Sequence, residues 1–247
     1  MDFITMNAPR KKNPIRPRDA WRALKNLLAD PDRTDQVFVI IDALSGNSGE
    51  RQFRRFAKTE TGQRVLTEKR EILPVLNDRE ALLALPEGSL GRTYAKFMNA
   101  EQISADGLVG ASEEGGRRLD ADADPNRVRY GTRLRDTHDL WHVTTGYNRD
   151  LVGEALLLAF TFAQTRNPGI GAIVAMAYLH SNDKPGGRKM IRDAYRRGRK
   201  AAWMPAADWE FLLTQPIDEV RAKLGVQDLP VYEEMRSAAG ELALKSQ

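Results

Sequence analysis

The sequence predicts an all-α protein, a single-domain helical bundle with a helix–turn–helix clamp near its middle. Three observations carry that prediction. Apolar residues recur at three-to-four spacing along most of the chain. No stretch alternates in the two-residue period of a half-buried strand, and no internal repeat is visible. The chain has 247 residues, 41% hydrophobic and 29% charged, which is enough for one sizeable core. Its 38 basic and 34 acidic residues nearly balance, which argues against disorder over the whole length.

The elements follow in order. Residues 1–18 read as a basic flexible arm, punctuated by Pro9, Pro14 and Pro17 and charged by Arg10, Lys11, Lys12, Arg16 and Arg18. Trp21, Leu24, Leu27 and Leu28 then mark one face of a helix, which Asp30-Pro31 ends. Val37 to Leu44 reads as a second helix, with Asp32 and Thr34 as capping signals and Ser45-Gly46-Asn47 as its stop. Phe53, Phe56, Val65 and Leu66 continue in helical style, and Pro86 to Gly91 is a turn feeding a helix with Tyr94, Phe97 and Met98 on one face. Residues 104–126 are polar and read as a loop with a short helix. Residues 136–147 form a helix that Gly146 interrupts. Leu151 to Gln164 is apolar on nearly every face and should be buried, and Gly169 to His180 is a second buried helix rich in Gly and Ala. A strongly basic stretch from Lys189 to Ala202 and helices at Trp209 to Leu213 and Ile217 to Leu224 complete a domain spanning 19–226. Residues 227–247 are a C-terminal tail with some helical potential.

Composition closes several doors. There is no cysteine, which excludes disulfides, thiolate metal sites, iron–sulfur clusters and a cysteine nucleophile. Any imidazole chemistry must use His138, His142 and His180. The net charge of +4 permits an anionic partner without demanding one. The longest apolar runs fall short of the roughly 20 residues that cross a bilayer. No apolar signal segment follows the N-terminus, which fits a bacterial, cytoplasmic protein better than an import precursor.

The residues that stand out are His138-Asp139-Leu140-Trp141-His142. Two histidines at i and i+4 share one helical face, a spacing that places two imidazoles on one ion. Asp139 lies three residues before His142, within reach of that face. A carboxylate beside two imidazoles suits zinc or a first-row ion such as Fe(II) or Mn(II). Glu154 is the acidic residue inside an apolar run, costly there unless it is paired or bound to metal. On one continuous helix, Glu154 would stand about 18 Å from His142. The break at Thr145 to Asn148 lets a returning helix bring it back, which makes a helix–turn–helix clamp around one divalent ion. The plain alternative for Glu154 is an ion pair with Arg149. Other metal motifs fail, because Asp139 stands where H-E-x-x-H needs glutamate and no pair of E-x-x-H elements exists. Phosphate-binding glycine loops are likewise missing, so nucleotide binding has no support.

These residues resemble the ubiquinone (coenzyme Q) biosynthesis family often called Coq-four. Its hallmark is H-D-x-x-H, eleven residues, then E, matched here by His138, Asp139, His142 and Glu154. Arg135, the element Gly88 to Gly91 with Tyr94 and Phe97, Gly198-Arg199 and Trp209-Glu210 also fit, and the likeness covers about residues 34–226. The resemblance implies an all-α fold and a divalent ion (zinc, Fe(II), Mn(II) or Co(II)) held by those four residues. It implies work on a polyprenylated hydroxy-methoxybenzoate, whose carboxylate at ring C1 is replaced by hydroxyl; a redox-active ion there could engage oxygen as co-substrate, and zinc could not. It further implies a role in organising the other ubiquinone biosynthesis enzymes, and that role leaves open a non-catalytic lipid-binding scaffold.

For such a substrate, Arg133 and Arg135 stand as candidates to orient an anionic group, and their plain alternative is an ion pair. The apolar segments Leu151 to Phe162 and Gly169 to Leu179 are either core or a dry path for the prenyl tail. The basic cluster Lys184, Arg188, Lys189, Arg192, Arg196, Arg197, Arg199 and Lys200 reads as a face docking on the inner surface of the cell membrane, or as a solvated helix face. Sparse aromatic interleaving argues against nucleic acid. A homo-oligomer stays open, and His180 is expected to meet a helix dipole.

Overall fold

The structure is a computed structural model, and it describes residues 14–101, 124–181 and 186–235. Most of the basic arm, most of the polar segment 104–126, Lys184 and the end of the C-terminal tail therefore lie outside the described residues. The described residues form fourteen α-helices, one 3-10 turn at Met204–Ala206 and no strand. In order the helices are α1 (Pro17–Ala29), α2 (Thr34–Leu44), α3 (Ser48–Phe56), α4 (Glu60–Thr67), α5 (Leu73–Asn77), α6 (Arg79–Ala84) and α7 (Leu90–Ala100). There follow α8 (Pro125–Asp136), α9 (His138–Thr145), α10 (Leu151–Thr165), α11 (Pro168–His180), α12 (Gly187–Lys200), α13 (Trp209–Leu212) and α14 (Ile217–Leu224).

The apolar pattern predicts the centre correctly. Leu157 and Phe160 on α10 are buried with Tyr94 and Met98 of α7, Leu140 of α9 and Trp209 of α13. Helix α10 packs on α11 and α12, and α11 carries that layer onto α2, which pairs with α1. The contact between α10 and α12 needs a residue without a side chain. A Cβ on Gly198 would lie 2.6 Å from the Phe160 carbonyl oxygen, closer than atoms pack.

Two parts differ from expectation. Helix α8 fills 125–136, where the sequence predicts the end of a polar loop and no helix before 136. Its start is nonetheless written in the sequence. Asp124 accepts from the backbone N–H groups of Asn126 and Arg127 at 2.9 and 3.2 Å, and Pro125 opens the helix. Residues 227–235 are not helical; they run extended as a strap whose contacts are described below.

Glu50 on α3 ties that helix to α8. It accepts from Arg127 at 2.7 and 3.2 Å and from Arg54 at 2.7 Å, and its side chain is 13% exposed. The Arg127 hydrogen bonds lower its pKa to about 2 against the opposing push of burial. A carboxyl held below its ordinary value stabilises the fold fully above about pH 4.5 and loses that contribution as pH falls towards about 2. Urea titrations should show Glu50→Gln about 2 kcal/mol less stable at pH 7, with the gap closing below pH 4. For Gly198→Ala the same titrations should give a loss of about 1–3 kcal/mol at every pH.

Candidate metal centre

Thr137 separates α8 from α9, and its hydroxyl donates to the Arg133 carbonyl at 2.9 Å. Helix α9 then presents His138, Asp139 and His142. It stops at Gly146, whose φ of +75° is the left-handed conformation that favours glycine, and whose N–H donates to the His142 carbonyl at 2.9 Å. The carbonyls exposed at the end of α9 are taken by two arginines. Arg197 donates to Thr145 O at 2.7 Å, and Arg221 donates to Thr144 O at 3.2 Å and Val143 O at 3.1 Å.

Four residues later, buried Asp150 caps α10 by accepting from Val152 and Gly153 at 3.0 and 3.3 Å. The C-terminal strap locks this turn. Tyr232 Oη accepts from the Asn148 N–H at 2.7 Å and donates to Asp150 Oδ2 at 3.1 Å. The Met235 N–H donates to Asp150 Oδ1 at 2.9 Å, and the Leu151 N–H donates to the Met235 carbonyl at 2.7 Å. The return places Glu154, in the first turn of α10, opposite α9.

The expected clamp residues meet. Ligand atoms of His138, Asp139 and His142 lie within 4.8 Å of one another. Glu154 Oε1 stands 3.4 Å from His142 Nε2. The His142 side chain is fully buried, and its Nδ1 donates to the Tyr147 carbonyl at 2.8 Å. A carbonyl only accepts, so Nδ1 carries the proton in the neutral ring and Nε2 offers a bare lone pair. That buried Nε2 has no hydrogen-bond partner. One orphaned imidazole nitrogen among a second imidazole and two carboxylates is a donor set that fits a divalent ion.

The electrostatics point the same way. Burial pushes the Glu154 carboxyl up, but His142, His138 and Arg149 hold it at about 2. Burial likewise pushes Asp139 up, and the hydrogen bond from His138 and the nearby cationic groups bring it below the usual carboxylate range. Burial pushes His142 down, and Glu154 more than reverses that. A proton and a metal cation would compete for the one lone pair at Nε2. The alternative partner also appears, since Arg149 Nε lies 3.7 Å from Glu154 and 4.0 Å from Asp139.

The site opens on a cavity of about 910 Å³. Its polar end, at the cluster, carries His138, Glu154, Arg135 and Arg149, and further charged groups, Asp32, Asp42, Glu50, Asp124 and Arg127, line the cavity too. Leu158 of α10 and Ile170, Ile173 and Val174 of α11 line one side, so the two apolar segments expected to form a dry path do face one space. The other wall comes from Leu24, Leu27, Leu28, Val37 and Phe38 of α1 and α2, which the sequence marked only as helical.

For two arginines the ion-pair alternative holds. Arg133, a candidate to orient an anionic substrate or to pair with a carboxylate, is 4% exposed and grips Glu210 through two hydrogen bonds of 2.7 and 2.6 Å. Its fork is spent on an ion pair with a partner 77 residues away. Arg135 lines the cavity but pairs with Asp136 at 2.7 Å. Arg197, expected on a membrane face, turns inward to Thr145 and to the Val226 carbonyl at 2.6 Å. Lys189, Arg192, Arg196 and Arg199 remain exposed, while half-buried Arg188 donates to the Tyr178 carbonyl. His180 Nδ1 stands 3.0 Å from the Met176 carbonyl at the end of α11.

The fold and site define a class of all-helical protein with a carboxylate–imidazole cluster opening on a large, partly apolar cavity. The chain belongs to the family described as Coenzyme Q (ubiquinone) biosynthesis protein Coq4, whose model matches residues 20–230. It is 28% identical over 206 residues to the mitochondrial ubiquinone biosynthesis protein COQ4 homolog of Anopheles gambiae, covering 81% of this chain and 69% of that protein. It is 31% identical over 181 residues to the mitochondrial coq4 protein of Talaromyces stipitatus, covering 71% of this chain and 59% of that protein. A crystal structure of a Nostoc punctiforme protein assigned by name to ubiquinone biosynthesis superposes with a TM-score of 0.64 at 25% identity, over 87% of this chain and 100% of that one. The named eukaryotic relatives are mitochondrial, so the bacterial, cytoplasmic setting expected above draws no support from them. No helix among the described residues is long and apolar enough to cross a membrane.

Removing one partner of the buried Arg133–Glu210 pair leaves a charge without its counter-ion. Arg133→Met should lower unfolding free energy by about 3 kcal/mol, and adding Glu210→Leu should recover most of it, both read by urea denaturation.

Proposed function

We propose that this chain carries out a metal-dependent oxidative decarboxylation in ubiquinone biosynthesis, with hydroxyl replacing the carboxylate at ring C1 of a polyprenylated hydroxy-methoxybenzoate. The observation that carries this reading is the buried Nε2 of His142, which makes no well-formed hydrogen bond and faces Glu154 Oε1 at 3.4 Å, beside His138 and Asp139 where they open on a cavity of about 910 Å³. His138, Asp139, His142 and Glu154 would hold the ion. When bound, a divalent ion supplies Lewis acidity towards the substrate's carboxylate or phenolate and, if it is iron or manganese rather than zinc, one-electron chemistry with oxygen as co-substrate.

The chain's own residues do the rest. The apolar walls from α1, α2, α10 and α11 exclude water from the ring and strengthen each charge contact at the polar end. Leu24, Leu27, Phe38, Leu158, Ile173 and Val174 also offer the prenyl tail apolar surface along these walls. The hydrogen bond from His142 Nδ1 to Tyr147 keeps the ring's other nitrogen aimed at the centre. Residues Arg192, Arg196 and Arg199 on the exposed face of α12 would meet anionic lipid headgroups, bringing the cavity to a bilayer-resident substrate. Other ubiquinone biosynthesis proteins are the expected partners.

A scaffold reading is favoured by one observation. Arg149 already approaches both carboxylates, so the cluster has a counter-ion of its own and can stand as a structural element. A product assay in air separates the two readings. The protein is loaded with Fe(II), Mn(II), Co(II) or Zn(II) in turn and given a short-chain prenylated hydroxy-methoxybenzoate. Mass spectrometry should show carboxylate lost and hydroxyl gained with at least one ion, and no product from Glu154→Ala. Absence of product with every ion, while substrate and metal both bind, would establish the scaffold.

A further inference from the structure

We propose that Arg149 is the anion receptor of the cavity, the residue that takes the carboxylate of an aromatic acid beside the metal centre. The proposal rests on the substrate class given above and adds the residue that recognises its charge. Two other arginines, Arg127 and Arg135, line the cavity, and both spend their donors on carboxylates. Arg127 is bound twice to Glu50 and paired to Asp124 at 2.9 Å. Arg135 is bound to Asp136, and buried Arg133 does not line the cavity at all. Arg149 differs from each of them. Its nearest acidic atoms stand 3.7 and 4.0 Å from Nε, beyond hydrogen-bond length, and that buried Nε has no hydrogen-bond partner. A guanidinium has five N–H donors in a planar fork that matches a carboxylate.

Charge balance gives that fork its task. With a divalent ion bound, the carboxylates of Asp139 and Glu154 would balance its two charges, and His138 and His142 would offer lone pairs without adding charge. Arg149 is then the uncompensated positive charge at the polar end of the cavity. An arriving carboxylate would otherwise face two fixed carboxylates in surroundings of low dielectric, where repulsion is strong. The backbone of Arg149 is held by the strap through Asn148 and Asp150, so the side chain projects from a fixed point. Side-chain exposure of 27% leaves it accessible from the cavity.

The test compares a short-chain prenylated 4-hydroxybenzoate with its methyl ester, which has the same shape and no charge. Binding of each, and of Co(II), is measured by calorimetry on the wild type, Arg149→Ala and Arg149→Lys. The proposal expects Arg149→Ala to weaken the acid about 10- to 100-fold and leave the ester within about 2-fold. Arg149→Lys should recover part of the loss. Co(II) affinity of Arg149→Ala should stay level or rise, since a competing cation has gone. Equal weakening of acid and ester, or an unchanged acid, overturns the proposal. So does a joint fall in acid and Co(II) affinity, which would make Arg149 a support of the cluster. If the wild type binds no Co(II), the metal reading fails, and the acid-to-ester difference still decides the role of Arg149.

Discussion

The hydrogen bond from His142 Nδ1 to the Tyr147 carbonyl is the constraint around which the site is arranged. It joins a helix to the turn that follows it, so one contact fixes the ring's tautomer, the ring's direction and the path of the chain towards Glu154. An imidazole free to flip would offer either nitrogen and specify neither. Burial makes the constraint costly to break, because the donor would have no water to turn to. The stacking of Phe97 on the same ring, with centroids 6.3 Å apart, closes the other side.

That arrangement is supported by positive charge turned inward. Arg197 and Arg221 cover the carbonyls at the end of α9, where the helix dipole is negative, and Arg197 also lies over the Tyr147 ring at 5.3 Å. Arg133 holds Glu210 in the interior. A chain whose composition reads as mildly basic thus spends several cations on backbone and buried carboxylates. The surface charge available to a membrane is smaller than the residue count suggests.

Much of this was legible in the sequence. The i, i+4 histidines, the carboxylate between them, the glycine break and a glutamate stranded in an apolar run specify a clamp, because each signal is local. Helix periodicity marked α1, α2, α7, α10 and α11 for the same reason. What failed was long-range. Nothing near Arg133 indicates Glu210, and nothing near Arg197 indicates Thr145, 52 residues away. Charge gives a residue's type and leaves its partner to the fold. The strap was hidden in the same way, since Tyr232 meets Asn148 across 84 residues and the tail has no amphipathic period to betray its docking. Arg149 was visible only as a counter-ion for Glu154. Its unspent donors are a property of distance, which no sequence displays.

The strap has a consequence for the order in which the protein is made. The turn that carries Asn148 and Asp150 leaves the ribosome 84 residues before Tyr232 does. At ordinary elongation rates that gap lasts about 4–17 s, far longer than a helix needs to form. During the interval α9 and α10 can fold and pack, yet Asp150 lacks two of its partners and the Asn148 N–H has none. The newborn clamp is therefore looser than the finished one, and its final geometry belongs to the completed chain.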